Sequence, residues 1–177
     1  MIPSIETLRG LKPKDLRALL LAGHPIDAGA LDDTLYRGVS LGIPHWVESF
    51  AWTTFAKTFR REPAGLRGWN VKLEQTGLDG DVVPKRRRDG APLTFGHYAV
   101  RTTPAPGLPA GTLLIDYGSP RNPALDPTRR LRDPLVALEP GDPTRLLGWT
   151  YVDAFGARIP TPSYFLLERW AELDHDA

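Results

Sequence analysis

The sequence predicts a mainly β fold: seven or eight antiparallel strands closed into a small barrel, with an N-terminal helix and a second helix after the first strand. Three observations carry this. Apolar runs rich in Val, Ile, Leu, Tyr and Trp crowd the last third, at 111–117, 132–138 and 145–169 with a bend near Gly156. Such runs, bounded by Gly, Pro and Asp, read as neighbouring strands. Little chain between them is left for helices, so the sheet is expected to be antiparallel. The 18 prolines and 17 glycines fall singly between apolar runs, as the turns of a β-rich fold do. Closure removes the unpaired edges that an open meander exposes; a curved sheet wrapped around the second helix is the alternative.

In chain order, residues 13–22 read as a short helix, with Pro13 in its first turn and Gly23 just past its end. Residues 34–41 form the first strand, with Leu35, Arg37 and Val39 on one face and Tyr36, Gly38 and Ser40 on the other. From Pro44 to about Arg60, the four-residue recurrence of Val47, Ala51, Phe55 and Phe59 predicts the second helix. Trp52 lies off that stripe, either covering a neighbouring element or facing a cavity or partner. Residues 67–75 alternate Trp69, Val71 and Leu73 against Asn70, Lys72 and Glu74, a strand with one dry face and one wet. The Lys85–Arg88 run before Asp89 and Gly90 reads as a solvated loop tip or as an anion contact.

Residues 95–103 form the next strand, carrying His97, Tyr98 and Arg101, and Leu113, Ile115 and Tyr117 line one face of the strand after it. Residues 118–130 hold three prolines and form an ordered excursion at the rim. Strands at 133–138 and 146–152 pair across residues 140–142, and 163–169 is the last strand. Gly38, Gly42, Gly68 and Gly148 read as barrel corners. The chain is one domain: a helical extension over 1–30, the barrel over 31–170 and a frayed polar tail over 171–177.

Bulk composition excludes several function classes. Lys+Arg 22 against Asp+Glu 21 leaves a net charge of +1, without the basic excess that a nucleic-acid binder needs to release counterions. Zero cysteines remove disulfides, thiol nucleophiles and thiolate metal sites together. The N-terminus lacks a basic stretch followed by an apolar core, and the apolar stretch 19–23 is too short for a transmembrane segment, so the expected location is cytoplasmic. The four histidines, His24, His45, His97 and His175, include no pair at helical ligand spacing, and no metal or cofactor is expected. His97, within a predicted strand, reads as a hydrogen-bonded structural histidine, with haem or metal ligation as the other reading.

Several short motifs resemble a group of bacterial and fungal lipocalin-like proteins. They are Leu114-Ile115-Asp116-Tyr117 continued by Asn122-Pro123, Arg132-Asp133-Pro134-Leu135-Val136, Pro140-Gly141 and Leu147-Gly148. Tyr36-Arg37-Gly38 and Lys57-Thr58-Phe59 are similar to the group's first strand and the segment after it. The chain departs from the pattern at Pro134, where an acidic residue is common, and at Thr54, near a usual tryptophan. The resemblance implies a lipocalin-like barrel and no particular activity.

Asp116 and Tyr117 beside Arg132 and Asp133 are the main polar candidates. Arg132 forking onto Asp116 is a structural clamp, or Arg132 or Arg101 anchors a ligand's carboxylate or phenolate. An acid–base role for Asp116 requires burial that raises its pKa. Trp149 and Tyr151 share a face with Leu147, expected to be the barrel interior. The predicted cavity lining is Tyr36, Trp69, Tyr98, Tyr117, Trp149, Tyr151 and Tyr164, with Arg101 or Arg132 orienting the occupant. Buried Tyr and Trp carry polar tips that need partners, as in a small-molecule site. The expected function is binding of a small, largely apolar, lipid-like or aromatic molecule in the cavity. The alternatives are a cyclase or isomerase acting there on a polyketide-like or terpenoid substrate, with Asp116 its only catalytic candidate, and a protein-interaction module using Trp52 and the basic loop.

Overall fold

Eight strands follow one another around a ring in the computed structural model, which describes residues 3–42, 53–78, 80–102, 107–154 and 156–173. They are β1 (Thr34–Leu41), β2 (Thr54–Glu62), β3 (Gly65–Lys72), β4 (Thr94–Arg101), β5 (Leu113–Asp116), β6 (Leu131–Glu139), β7 (Asp142–Ala154) and β8 (Ala157–Glu172). Each pairs antiparallel with its sequence neighbours, and β8 returns to β1 from Thr34↔Glu172 to Leu41↔Tyr164, closing the barrel. Turn chemistry sets the register. Glu139 pairs with Asp142, leaving Pro140 and Gly141 as a two-residue turn; Gly141 takes φ +73°, the left-handed value that follows proline in a type II turn.

Period-two alternation sorts the side chains into two apolar layers. Inside, Tyr36, Phe59, Leu66, Tyr98, Leu113, Ile115, Leu135, Leu146 and Leu167 pack into the lumen. Outside, α1 (Ile5–Arg9) and α2 (Pro13–Leu21) lay Leu8, Leu16 and Leu20 on Leu41, Val136, Leu147, Trp149, Tyr151 and Leu166. Ser4 caps α1 through its side chain, and Pro13 opens α2 where its missing N–H costs nothing. A smaller outer cluster joins Ala56, Trp69, Val71 and Leu73.

The second predicted helix is corrected from Thr54 onward. Thr54–Glu62 is strand β2, and the remainder of that prediction, with Trp52, lies outside the described residues. A four-residue recurrence is also twice the strand period, so Phe55 and Phe59 align equally well on a strand, and the β-branched Thr53, Thr54 and Thr58 favour the extended form. Among the described residues, both α-helices precede the barrel. The tail is corrected as well: β8 continues through Ala171 and Glu172, and Leu173 N–H donates to Asp33 O at 2.9 Å. The Lys85–Arg88 run sits on an arm between β3 and β4 that folds back through bridges Leu73↔Pro84 and Arg86↔Pro92. Its charges pair within the arm or beside it, Lys85 with Glu74 and Arg87 with Asp89. No helix among the described residues is long and apolar enough to cross a membrane.

Candidate ligand-binding site

Strand alternation sends Phe55, Lys57 and Phe59 of β2 into the lumen, where neighbouring strands supply Asn70 (β3), Asp133 (β6), Thr150 (β7) and Phe165 (β8). Two glycines make room for the aromatic walls. Gly38 faces Phe55 across the β1–β2 pair and Gly148 faces Phe165 across the β7–β8 pair. A Cβ at either glycine would stand 2.3 Å and 2.1 Å from the respective ring, so each ring lies flat over bare backbone. The two rings meet edge to face, 6.0 Å between centroids.

The result is a cavity of about 370 Å³ at the end of the barrel where β1 finishes and β2 begins, open among the described residues. That volume is at the lower end of the range for small-molecule sites, about 300–1,000 Å³. Phe55, Phe95, Leu131 and Phe165 form apolar wall, and Ser40, Thr128, Thr150 and Ser163 bring hydroxyl-bearing side chains. Thr128 Oγ1 is buried and has no hydrogen-bond partner among the described residues.

At the floor stands a buried polar cluster. Lys57 and Asp133 are each 2% exposed, with Nζ 3.4 Å from Oδ2. Lys57 Nζ also donates to Asn70 Oδ1 at 3.0 Å and to the Tyr117 hydroxyl. Tyr117 donates to Asp133 Oδ2 at 3.0 Å, and Thr150 Oγ1 donates to Asp133 Oδ1 at 2.8 Å. Asn70 in turn donates to Gly96 O at 3.1 Å. The Lys57 ammonium is ringed by aromatic faces: 5.0 Å from the Tyr98 and Tyr117 centroids and 5.1 Å from Phe165, within cation–π range.

Burial sets the electrostatics. Desolvation pushes the Lys57 ammonium below the usual lysine range, and the Asp133 carboxylate pulls part of the way back. The Tyr98 and Tyr117 phenols are held well above 10, first by burial and then by the Asp133 charge, so both remain proton donors. The cluster can therefore balance one positive and one negative charge out of water, orient a polar group at the cavity floor, and move a proton between amine, phenol and carboxylate. Among the described residues no group of three or more His, Asp or Glu side chains is placed to hold a metal ion.

The residues expected from sequence divide sharply. Tyr117 lines the cavity, whereas Tyr164 only borders it: its ring is in the outer cluster, stacked on Trp149 at 6.4 Å between centroids. Tyr98 lies inside beneath the cluster, donating to Thr58 O at 2.6 Å with its ring 5.4 Å from Tyr117. Tyr36 is also inside, but at the closed end, donating to Pro143 O at 2.7 Å. The other placements are corrected. Trp149 and Tyr151 are on the outer face under α2, where Arg17 covers the Trp149 ring at 5.1 Å. Trp69 is in the outer cluster, with Arg67 over its ring; its strand's interior side is the one carrying Asn70. Arg101 and Arg132 also point outward, each with a nitrogen 3.1 Å from an oxygen of Asp116, so neither arginine reaches a ligand in the lumen and Asp116 is no acid or base for one. Arg132 reaches Asp153 as well, 3.6 Å away, and acts as the clamp between strands. Arg101, Asp116 and His97 border a separate outer cleft. There the His97 ring tilts against Trp69 at 6.4 Å, and its Nδ1 has no partner among the described residues.

Sequence reasoning misses Lys57, Asn70, Thr150, Phe55 and Phe165 as site residues, and marks Asp133 only as a neighbour of Arg132. For Lys57 the signal is a polar residue on the inward register of a strand with aromatic neighbours two positions away, Phe55 and Phe59; the others carry no such mark. No family model matches the chain, and no curated protein does either.

Proposed function

We propose that the barrel binds one small, largely apolar molecule, aromatic or lipid-like, with its apolar body between Phe55, Phe95 and Phe165 and a polar end at the Lys57–Tyr117–Asp133 cluster. The observation that carries this reading is a lumen of about 370 Å³ whose wall is mainly apolar and whose floor is a buried, oriented polar group. That is the composition of a small-molecule site. Titration with an apolar naphthalene fluorophore tests the reading. Saturable binding of one molecule per chain is expected, displaced by long-chain alcohols; absence of saturable binding contradicts it.

A second reading, turnover of a polyketide-like or terpenoid substrate by a cyclase or isomerase, draws on the same cluster. Its support is an amine, a phenol and a carboxylate in mutual hydrogen-bond contact beside the cavity, which is the equipment of proton transfer. Product formed from such a substrate by the wild type and lost in Lys57→Met distinguishes it from binding alone.

A further inference from the structure

The cavity reading leaves open what chemical group meets Lys57. We infer that Lys57 is a nucleophilic amine that condenses with the carbonyl of an aldehyde or ketone held in the cavity, forming an iminium whose counter-ion is Asp133. This rests on the cavity reading and deepens it.

Charge argues against the simpler role of carboxylate anchor. Lys57 Nζ already meets Asn70 Oδ1, Tyr117 Oη and Asp133 Oδ2, and Asp133 cancels its charge. An incoming carboxylate adds a second anion to a desolvated site that holds one. A carbonyl compound is neutral and upsets no balance. Position favours the amine as nucleophile. Nζ lies at the cavity floor between the Tyr98, Tyr117 and Phe165 rings, the desolvated setting in which a lysine amine becomes reactive. Burial lowers the pKa of this ammonium, which raises the share of free amine at neutral pH. Of the five lysines, Lys12 and Lys14 are exposed and Lys72 and Lys85 are half-buried; Lys57 alone is buried.

The step balances without a co-reactant. Asp133 takes one proton from the ammonium. The two hydrogens of the free amine keep Asn70 Oδ1 and Asp133 Oδ2 as acceptors, and Tyr117, which also donates to Asp133 at 3.0 Å, turns aside to free the lone pair. Nζ attacks the carbonyl carbon, and a proton passes from nitrogen to oxygen to give a carbinolamine. The C–O bond then breaks and the oxygen leaves as water with two of the three original ammonium hydrogens. The third stays on nitrogen in the iminium. Nothing is oxidised or reduced, and the charge opposite Asp133 is unchanged. Thr150 Oγ1, 2.8 Å from the other Asp133 oxygen, holds the carboxylate in place throughout.

The test uses the wild-type protein, cinnamaldehyde as the carbonyl probe and cyanoborohydride to trap the imine. At neutral pH and low aldehyde excess, one adduct per chain is expected, heavier by the aldehyde less one oxygen atom. Peptide mapping should place most of it on Lys57, in preference to each of the other four lysines. In urea the preference should vanish. Labelling of Lys57 no faster than the surface lysines overturns the proposal. Cinnamyl alcohol, which has no carbonyl, separates the two levels. Saturable binding of the alcohol without a Lys57 adduct from the aldehyde refutes the imine and keeps the cavity; failure of both to bind refutes both.

Discussion

Lys57 and Asp133 face each other across the lumen, Nζ 3.4 Å from Oδ2, on strands β2 and β6, which stand opposite one another in the eight-membered ring. The pair thus ties two sides of the barrel wall and marks the depth at which the apolar core of the closed end gives way to hollow space. Tyr117, just past the end of β5, and Thr150 of β7 complete its hydrogen bonds.

Breaking that pair leaves a buried charge without its partner, at a cost of about 3–5 kcal/mol. Lys57→Met and Asp133→Leu are each expected to lose stability in that range. The double variant is expected to regain most of it, since a buried ion pair replaced by apolar side chains is often neutral. Guanidinium unfolding midpoints of the three variants measure this, and a Lys57→Met protein as stable as wild type contradicts the buried pair.

Alkali acts on the buried phenols. Tyr36 is pushed up to about 12 from its usual 10, chiefly by burial, so between those values the unfolded chain gives up a proton that the folded chain keeps. Stability falls with rising pH where the unfolded state binds fewer protons, by about 2–3 kcal/mol for this residue. Tyr98 and Tyr117 act in the same direction. Lys57 acts oppositely: its folded value lies below 10.5, so stability gains as pH rises towards that of a free lysine. Unfolding free energies measured from pH 10 to 12 should fall less in Tyr36→Phe than in wild type; equal slopes count against this account of Tyr36.

Gly148 holds the cavity open. Its absent Cβ would stand 2.1 Å from the Phe165 ring, so Gly148→Val must drive that ring off its seat. The expected cost is about 1–3 kcal/mol of overpacking, together with loss of fluorophore binding. Unchanged binding in a folded Gly148→Val protein contradicts the assigned wall.

The outer placement of Trp149 has a complementary test. Trp149→Phe should alter packing under α2 and leave ligand affinity unchanged, whereas Phe55→Ala, on the inner wall, should weaken binding. The reverse pattern, read by titration, exchanges the two faces.

Alternation made the barrel legible. The bounds of β1 coincide with the predicted strand 34–41, and its two faces divide as Leu35, Arg37 and Val39 against Tyr36, Gly38 and Ser40 require. The site was mostly hidden, for two physical reasons. The Phe55–Phe59 spacing fits periods of both two and four, and reading it as a helix put Lys57 beside the apolar stripe instead of in the lumen. The second reason is that both faces of several strands are buried, because α2 covers β7 and β8 and α1 lies against β1. Hydrophobicity then no longer tells inside from outside, and the largest aromatics, Trp149 and Trp69, lie on the outer side. Asn70, on the face that reads as wet, points into the lumen.

Native mass spectrometry of the protein purified from its own host tests the central claim most directly. The account predicts one small, largely apolar molecule on each chain, released on unfolding and missing from Gly148→Val. Wild-type protein that emerges empty, and stays empty when offered apolar alcohols and aldehydes, contradicts it.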